Sequence, residues 1–128
     1  MTVPRNLFLS ALTCVATVAT VAAGAASAGQ CGYEYCWGAV GSSSKGAYGW
    51  AHSYATEQDA YNSVYTSCEG DCTEIKTFYN SCGAMARASN GAWGWAADQT
   101  REIAEHRAIG YCLEHGSNCQ VVVWACSK

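Results

Sequence analysis

The sequence predicts an α+β fold: two β-β-α-β repeats, related by pseudo-twofold symmetry, in one small disulfide-stapled domain. The segment GAYGWA at residues 46–51 recurs as GAWGWA at residues 91–96. Each copy is followed by small or apolar residues at positions i, i+4 and i+8, a spacing typical of one helix face. Cysteines are frequent for so short a chain, which indicates a framework of disulfide bonds.

The first 28 residues have the features of a secretory signal peptide. Arg5 precedes an apolar stretch over residues 7–23, and Ala26-Ser27-Ala28 is an A-x-A cleavage site. The alternative is an uncleaved membrane-spanning helix, because about 17 apolar residues lie at the lower limit for spanning. We expect cleavage after Ala28, and a secreted or periplasmic protein with no stable membrane anchor.

The repeat extends well beyond the motif, as expected for two copies of one structural unit. It divides the exported chain into an N-terminal tail at 29–36, repeat 1 at 37–81 and repeat 2 at 82–128, which together form a single domain. Changes in the offset between the copies fall only in predicted loops. The matching pairs are Gly38 and Gly83, Ala39 and Ala84, Val40 and Met85, Thr56 and Thr100, Ala60 and Ala104, Val64 and Ala108, Cys68 and Cys112, and Cys72 and Cys119.

Each repeat begins with a predicted β-hairpin. In repeat 1 the strands cover residues 38–43 and 47–53, and the residues between them form the turn. The counterpart of that turn contains Asn90-Gly91, a strong hairpin signal because both residues tolerate positive φ. Side chains alternate across a strand, so Tyr48, Trp50 and His52 share one face and the small residues share the other.

A helix and a closing strand complete each repeat. Thr56 and Thr100 stand at the expected N-cap positions, and Gly70 and Gly116 are natural helix terminators. The helix faces that are expected to point inward carry mostly small residues, which allow the helices to lie close to the sheet. The closing strands are predicted at 73–79 and 120–124, and the two repeats are expected to share one core.

The repeated pattern resembles a bacterial family catalogued as domain of unknown function 4189. The pattern W-G-A-(V/M), G-A-(Y/W)-G-W, T-x-x-x-A and C-G-A is carried by residues 37–40, 46–50, 56–60, 82–84 and 91–95, with Cys68, Cys72 and residues 121–124. The resemblance covers about residues 37–126. It implies a small exported bacterial protein, in line with the effector role in host cells ascribed to a mycobacterial relative. It supplies no catalytic residues.

Eight cysteines remain after Cys14 leaves with the signal peptide, and the repeat suggests how they pair. Equivalent positions should pair equivalently, which predicts Cys68–Cys72 and Cys112–Cys119. Cys82 and Cys126 begin and end repeat 2 and are paired next, leaving Cys31–Cys36 as a clip on the tail. A zinc site is the alternative, but the C-x3-C and C-x6-C spacings lack the paired C-x2-C knuckles of strong zinc signatures.

Composition and motifs exclude several function classes. The net charge is −3 and the basic residues are scattered, which argues against nucleic acid and anionic membranes as partners. No cofactor or metal motif is present. His52, His106 and His115 are the only histidines, and none stands in a recognisable catalytic pattern.

Aromatic residues are the better functional lead, because five Trp and eight Tyr are many for a chain of 128 residues. They either fill the core or form an exposed face that stacks on sugars or anchors a protein. Tyr48 and Trp93 beside the turns, with Trp37 and Trp95, are the candidate binding residues. The favoured hypothesis is a secreted binding or effector module that acts as a monomer or weak dimer. The alternatives are an inhibitor or envelope-protective protein using the loop Glu114–Cys119, and a small hydrolase using His52 or His106.

Overall fold

The computed structural model describes residues 29–128, so the predicted signal peptide lies outside the described residues. The elements follow the predicted order β-β-α-β in both repeats. They are β1 (Trp37–Ser42), β2 (Tyr48–Tyr54), α1 (Glu57–Ser67), β3 (Glu74–Tyr79), β4 (Ser81–Arg87), β5 (Trp93–Asp98), α2 (Arg101–Leu113) and β6 (Gln120–Ser127).

The strands form two antiparallel sheets, one from each repeat. Sheet A has the order β2-β1-β3 and sheet B has the order β5-β4-β6, so the first strand of each repeat is central. Helix α1 packs on one face of sheet A, helix α2 packs on one face of sheet B, and the remaining faces pack together. The result is a four-layer α-β-β-α sandwich, which confirms the predicted α+β class and the two repeats.

The interior consists of three clusters rather than the one shared core that the sequence predicts. One cluster lies between α1 and sheet A, and a second lies between α2 and sheet B. The two repeats share only the third cluster, which lies between the sheets and contains Val40, Phe78, Met85, Val123 and Ala125. Each sheet is apolar on both faces, so each repeat has a helix–sheet core of its own.

The glycines that open the repeated motif make the hairpin turns. Gly46 and Gly91 both have φ of +89°, a conformation that glycine adopts without steric cost. The backbone bonds Ser43 N to Ala47 O and Ala88 N to Ala92 O close loops of three residues. The hairpin signalled by Asn90-Gly91 is present, and of these two residues only Gly91 has positive φ, because in a three-residue loop the last residue takes that conformation.

The glycines inside the motif let the helices approach the sheets. A Cβ on Gly94 would overlap the carbonyl oxygen of Ala108 and the amide nitrogen of Cys112 in α2. A Cβ on Gly49 would lie 3.0 Å from the sulfur of Cys68 at the end of α1. The small-residue stripes predicted from the sequence therefore serve a close helix–sheet contact, with backbone against backbone in repeat 2.

Both predicted N-caps are present. The side-chain oxygen of Thr56 accepts a hydrogen bond from the Asp59 amide at 3.1 Å, and that of Thr100 accepts one from the Ile103 amide at 3.3 Å. The helix ends differ. Gly70 has the positive φ of a terminator, whereas α2 ends with Glu114 as its cap and Gly116 packs against Ala92 and Asn90 instead.

The eight cysteines of residues 29–128 form four disulfides. Their pairs coincide with the pairs that the repeat suggests: Cys31–Cys36, Cys68–Cys72, Cys82–Cys126 and Cys112–Cys119. Three of them join cysteines that are no more than seven positions apart in the sequence. Cys82–Cys126 has a sequence separation of 44 and joins neighbouring strands of sheet B. That bridge alone restrains nearly a whole repeat.

A buried ion pair crosses between the sheets, and no sequence pattern points to it. The side chain of Arg87, 8% exposed, pairs with the carboxylate of Glu74. It also donates from Nε to the hydroxyl of Ser42 at 2.8 Å and from Nη2 to the Ser42 carbonyl at 3.1 Å. Ser42 and Arg87 occupy equivalent positions in the two repeats, so this contact joins the C-terminal end of β1 to the C-terminal end of β4.

We expect Glu74→Gln to lower the free energy of unfolding by about 2 kcal/mol, because a buried guanidinium then loses its counter-charge. Chemical denaturation of the oxidised protein measures the change. Glu102→Gln, at an exposed position of α2, serves as the control and should stay within about 0.5 kcal/mol of wild type. Equal effects of the two substitutions would contradict a structural role for the ion pair.

Candidate functional site

The two open edges of the sandwich occupy equivalent places in the repeats. At one edge β2 lies beside β6, and Ser53 N donates to the Ser127 hydroxyl at 2.9 Å. At the other edge Lys76 of β3 reaches the aromatic rings of β5. We refer to these as the β2–β6 edge and the β3–β5 edge. The pseudo-twofold relation makes each edge an internal reference for the other.

Strand register shows which residues correspond at the two edges. On central strand β1, Val40 pairs with Trp50 on one side and with Lys76 on the other. On central strand β4, Met85 pairs with Trp95 on one side and with Val123 on the other. Val40 and Met85 are equivalent, so Trp50 corresponds to Trp95 and Lys76 corresponds to Val123.

The β3–β5 edge has its rings covered by a lysine. The Lys76 ammonium lies 5.6 Å from the ring centroid of Trp93 and 5.9 Å from that of Trp95, within reach of cation–π attraction. Trp95 also packs against the cluster between the sheets, and both rings are partly buried. The aliphatic stem of a lysine in this position shields apolar surface while its charge stays in water.

The β2–β6 edge has no such cover. Val123 stands where Lys76 stands at the other edge, and it is too short to reach over the rings of β2. Tyr48 is 60% exposed and Trp50 is 53% exposed. Together they border an open groove of about 540 Å³, which we call the aromatic groove; it is lined by Tyr48, Trp50, His52 and residues 122–126. None of these residues is Asp, Glu, Lys or Arg.

Ring geometry gives the groove two distinct walls. On β2 the rings of Trp50 and His52 are parallel within 4°, with centroids 5.7 Å apart. On β6, Val123 and Ala125 turn into the cluster between the sheets, so the ring of Trp124 lies on the other face of the strand, toward α2. It is 40% exposed and has the guanidinium of Arg101 3.7 Å from its centroid. Glu105 accepts from Nε of that guanidinium at 2.6 Å, which holds it over the ring. The rings of β2 can bind apolar or ring-shaped groups, and no Asp, Glu, Lys or Arg lines the groove.

The structure does not bring the four predicted binding residues to one surface. Tyr48 lies in the aromatic groove, whereas Trp93 and Trp95 lie at the opposite edge of the sandwich. Trp37 packs toward the α1 side of sheet A, with its ring 5.0 Å from that of Tyr79. The sequence does contain a signal for Trp50, because the alternation along β2 places it on the same face as Tyr48.

Trp124 has no such sequence signal, because its place beside β2 depends on how the two sheets pack.

A larger groove of about 820 Å³ lies between β5 and α2, and the Arg107 guanidinium that lines it is already engaged within the protein. Arg107 donates to Asp98 at 2.7 Å and to the Tyr111 hydroxyl at 3.2 Å. The amide of Gln99 and the Arg107 guanidinium hold the pKa of the Asp98 carboxyl below its usual value. Asn90 donates to the backbone carbonyl of His115, another lining residue, at 3.4 Å.

The alternatives to a binding function find little support in the geometry. His52 Nδ1 lies 2.9 Å from the Ser53 hydroxyl, but no carboxylate of residues 29–128 bonds to His52 as an orienting group requires. His106 and His115 lie on or after α2, away from these two residues. The loop Glu114–Cys119 rests on the β4–β5 turn through Gly116 rather than projecting from the fold.

Residues 29–128 contain no group of three or more His, Cys, Asp or Glu side chains arranged to hold a metal ion. No helix among them has the length and apolar character needed to cross a membrane.

Comparison with known proteins places the fold in a family. No curated protein matches the chain. Among solved structures, the NMR structure of Rv1813c from Mycobacterium tuberculosis is similar, with 27% identity and a TM-score of 0.55 over 71% of this chain and 74% of that one. Residues 37–126 match the family described as Domain of unknown function (DUF4189), and the chain therefore belongs to that family.

Proposed function

We propose that this protein is an exported binding or effector module whose aromatic groove holds a protein or glycan partner. The observation that carries the proposal is the difference between two equivalent edges. The rings of β5 lie under Lys76, whereas those of β2 are exposed at the place where Val123 replaces that lysine. Exposed rings framed by a groove are typical of surfaces that bind a partner.

The gain from covering these rings is large enough to support binding. Tyr48 and Trp50 each leave about half of a large side chain in water. An aromatic side chain buries roughly 150–250 Å², so covering both exposed halves contributes on the order of 5 kcal/mol before the cost of association. Micromolar affinity requires about 8 kcal/mol after that cost, so the rings supply part of the free energy of binding and neighbouring contacts must supply the rest.

Export is the second part of the proposal. Four disulfides in a domain of this size favour an oxidising compartment, and the predicted signal peptide provides the route. The protein recovered from the periplasm or medium of a bacterial host should begin at Gly29, as read by intact mass. A full-length chain retained in the membrane fraction would contradict this part.

The binding test uses the oxidised protein against a neutral and anionic glycan array and a displayed library of ten-residue peptides. We expect a ligand from one of the two libraries, and a loss of at least tenfold in affinity for Trp50→Ala or Tyr48→Ala. The matched control is Trp93→Ala, the equivalent of Tyr48 at the covered edge, which should stay within about threefold of wild type. Circular dichroism confirms that each variant is folded.

Two results would overturn the proposal. The first is the absence of any ligand in both libraries. The second is a ligand whose affinity falls equally for Trp93→Ala and Trp50→Ala, since the exposed and covered edges would then not differ in function.

A further inference from the structure

The outer edge of β6 carries backbone groups that no strand of residues 29–128 pairs. β6 is the last strand of sheet B, so only its inner side bonds to β4. In an antiparallel pair, closely spaced Cα atoms mark the residues whose N–H and C=O point away from the partner strand. Cys82 and Cys126 are such a pair, with Cα atoms 3.9 Å apart.

The alternation of the ladder identifies the next outward-facing residue. Register runs without a break from the pair Cys82–Cys126 through Gly83–Ala125 to Ala84–Trp124. Bonded and non-bonded pairs alternate, so Trp124 also turns its N–H and C=O to the outer edge. Trp124 and Cys126 both line the aromatic groove. The groove therefore contains a row of backbone donors and acceptors beside the rings of β2.

The half of β6 that follows Val122 lacks the devices that normally protect a sheet edge, whereas the first half carries a bulge at Val122. Edge strands are commonly blocked by charged residues or proline. The edge strand β3 carries Glu74 and Lys76, whereas β6 from Gln120 to Ser127 contains neither a charge nor a proline. The register with β4 is regular from Val123 to Ser127, the half that holds Trp124 and Cys126.

From these features we infer that the aromatic groove binds an extended peptide segment of a partner protein, which adds to sheet B as a fourth strand beside β6. This rests on the proposed function and specifies its partner class. The segment pairs with the backbone of Trp124 and Cys126, and alternate side chains of the segment pack against Tyr48 and Trp50. A polypeptide can pair with the edge of β6 and cover the stacked rings of β2 at the same time, whereas a glycan has no backbone amides that could pair with β6.

Charge defines the segment further. The groove lining holds no charged side chain, and the chain as a whole carries a net charge of −3. A charged side chain entering the groove would lose water without gaining a counter-ion, and an acidic segment would also be repelled. The expected segment is five to eight residues of uncharged sequence, roughly the length of an average strand, with apolar side chains at every second position.

The experiment selects displayed ten-residue peptides on the oxidised protein and resynthesises the best binder with N-methylated amides. A strand presents alternate amides to opposite sides, so methylation of one set should abolish binding and methylation of the other should change affinity less than threefold. Hydrogen exchange read by NMR should show slower exchange at the Trp124 and Cys126 amides when the peptide is bound. Exchange at the α2 amides serves as the internal control.

Each other outcome counts against strand addition. No enriched peptide, equal effects of the two methylated sets, or unchanged exchange at Trp124 and Cys126 would overturn it. A concentration-dependent dimer with protection at the same amides would replace the peptide by a second copy of the chain. A glycan that binds through Trp50 while no peptide does would reject this inference and leave the proposed function standing, whereas the absence of both ligands would reject the two together.

Discussion

Replacing Gly94 with alanine is expected to lower the free energy of unfolding by about 3 kcal/mol, the upper end of the usual cost of overpacking. The added methyl group would overlap the carbonyl oxygen of Ala108 and the amide nitrogen of Cys112, and it would lie 2.9 Å from the carbonyl carbon of Tyr111. These are backbone atoms of α2, so no side-chain rotation relieves the clash. The helix must move away from sheet B and loosen the cluster between them.

Gly110→Ala is the matched control and should have the opposite sign. Gly110 lies in α2 itself, and no atom lies within 4 Å of its added Cβ. Alanine is favoured over glycine inside a helix, so this variant should gain about 0.5–1 kcal/mol. Denaturant unfolding of the oxidised proteins measures both. A Gly94→Ala protein as stable as wild type would show that α2 does not sit as close to β5 as described.

The double variant Cys82→Ala/Cys126→Ala is expected to lose about 4 kcal/mol, because this bridge closes the longest loop. Its sequence separation of 44 restricts the unfolded chain more than the short bridges do. Both cysteines also lie in the helix–sheet cluster of repeat 2 or pack against it, so the substitution removes apolar contacts as well. A domain of this size is marginally stable, and the variant should unfold at much lower denaturant concentration.

The comparison for this prediction is Cys68→Ala/Cys72→Ala, in the same protein. That bridge has a sequence separation of four, and the same entropy relation assigns it about 2 kcal/mol. The prediction is that the Cys82–Cys126 variant loses more stability than the Cys68–Cys72 variant. Both variants remove two sulfurs, so the comparison isolates the effect of loop length. A larger loss for the Cys68–Cys72 bridge would mean that local packing, rather than restraint of the unfolded chain, sets the contribution of these disulfides.

Much of the fold could be predicted from the sequence because the chain repeats itself. The caps at Thr56 and Thr100 and the alternation on β2 are local features, and local features leave local patterns. A one-sided small-residue stripe likewise predicts a helix close to a sheet, and Gly94 shows how close. The element order and α+β class follow from these features alone.

The candidate site could be predicted only in part, because it depends on how the sheets stack. Tyr48 and Trp93 occupy equivalent positions in the two repeats, yet Tyr48 is exposed while Trp93 lies beside Lys76. The difference arises at Lys76 and Val123, on strands far from the motif in sequence. The ion pair of Arg87 with Glu74 was missed for the same reason, since it joins strands of different repeats.

Fluorine NMR of the oxidised protein with 5-fluorotryptophan directly tests whether a ligand binds in the aromatic groove. The chain has five tryptophans, and each gives one resonance, assigned by Trp→Phe substitution. On addition of the selected ligand, we expect shifts at Trp50 and Trp124 and none at Trp37, Trp93 and Trp95. Shifts at Trp93 and Trp95 with Trp50 unchanged would contradict it, because the ligand would then occupy the edge that Lys76 covers.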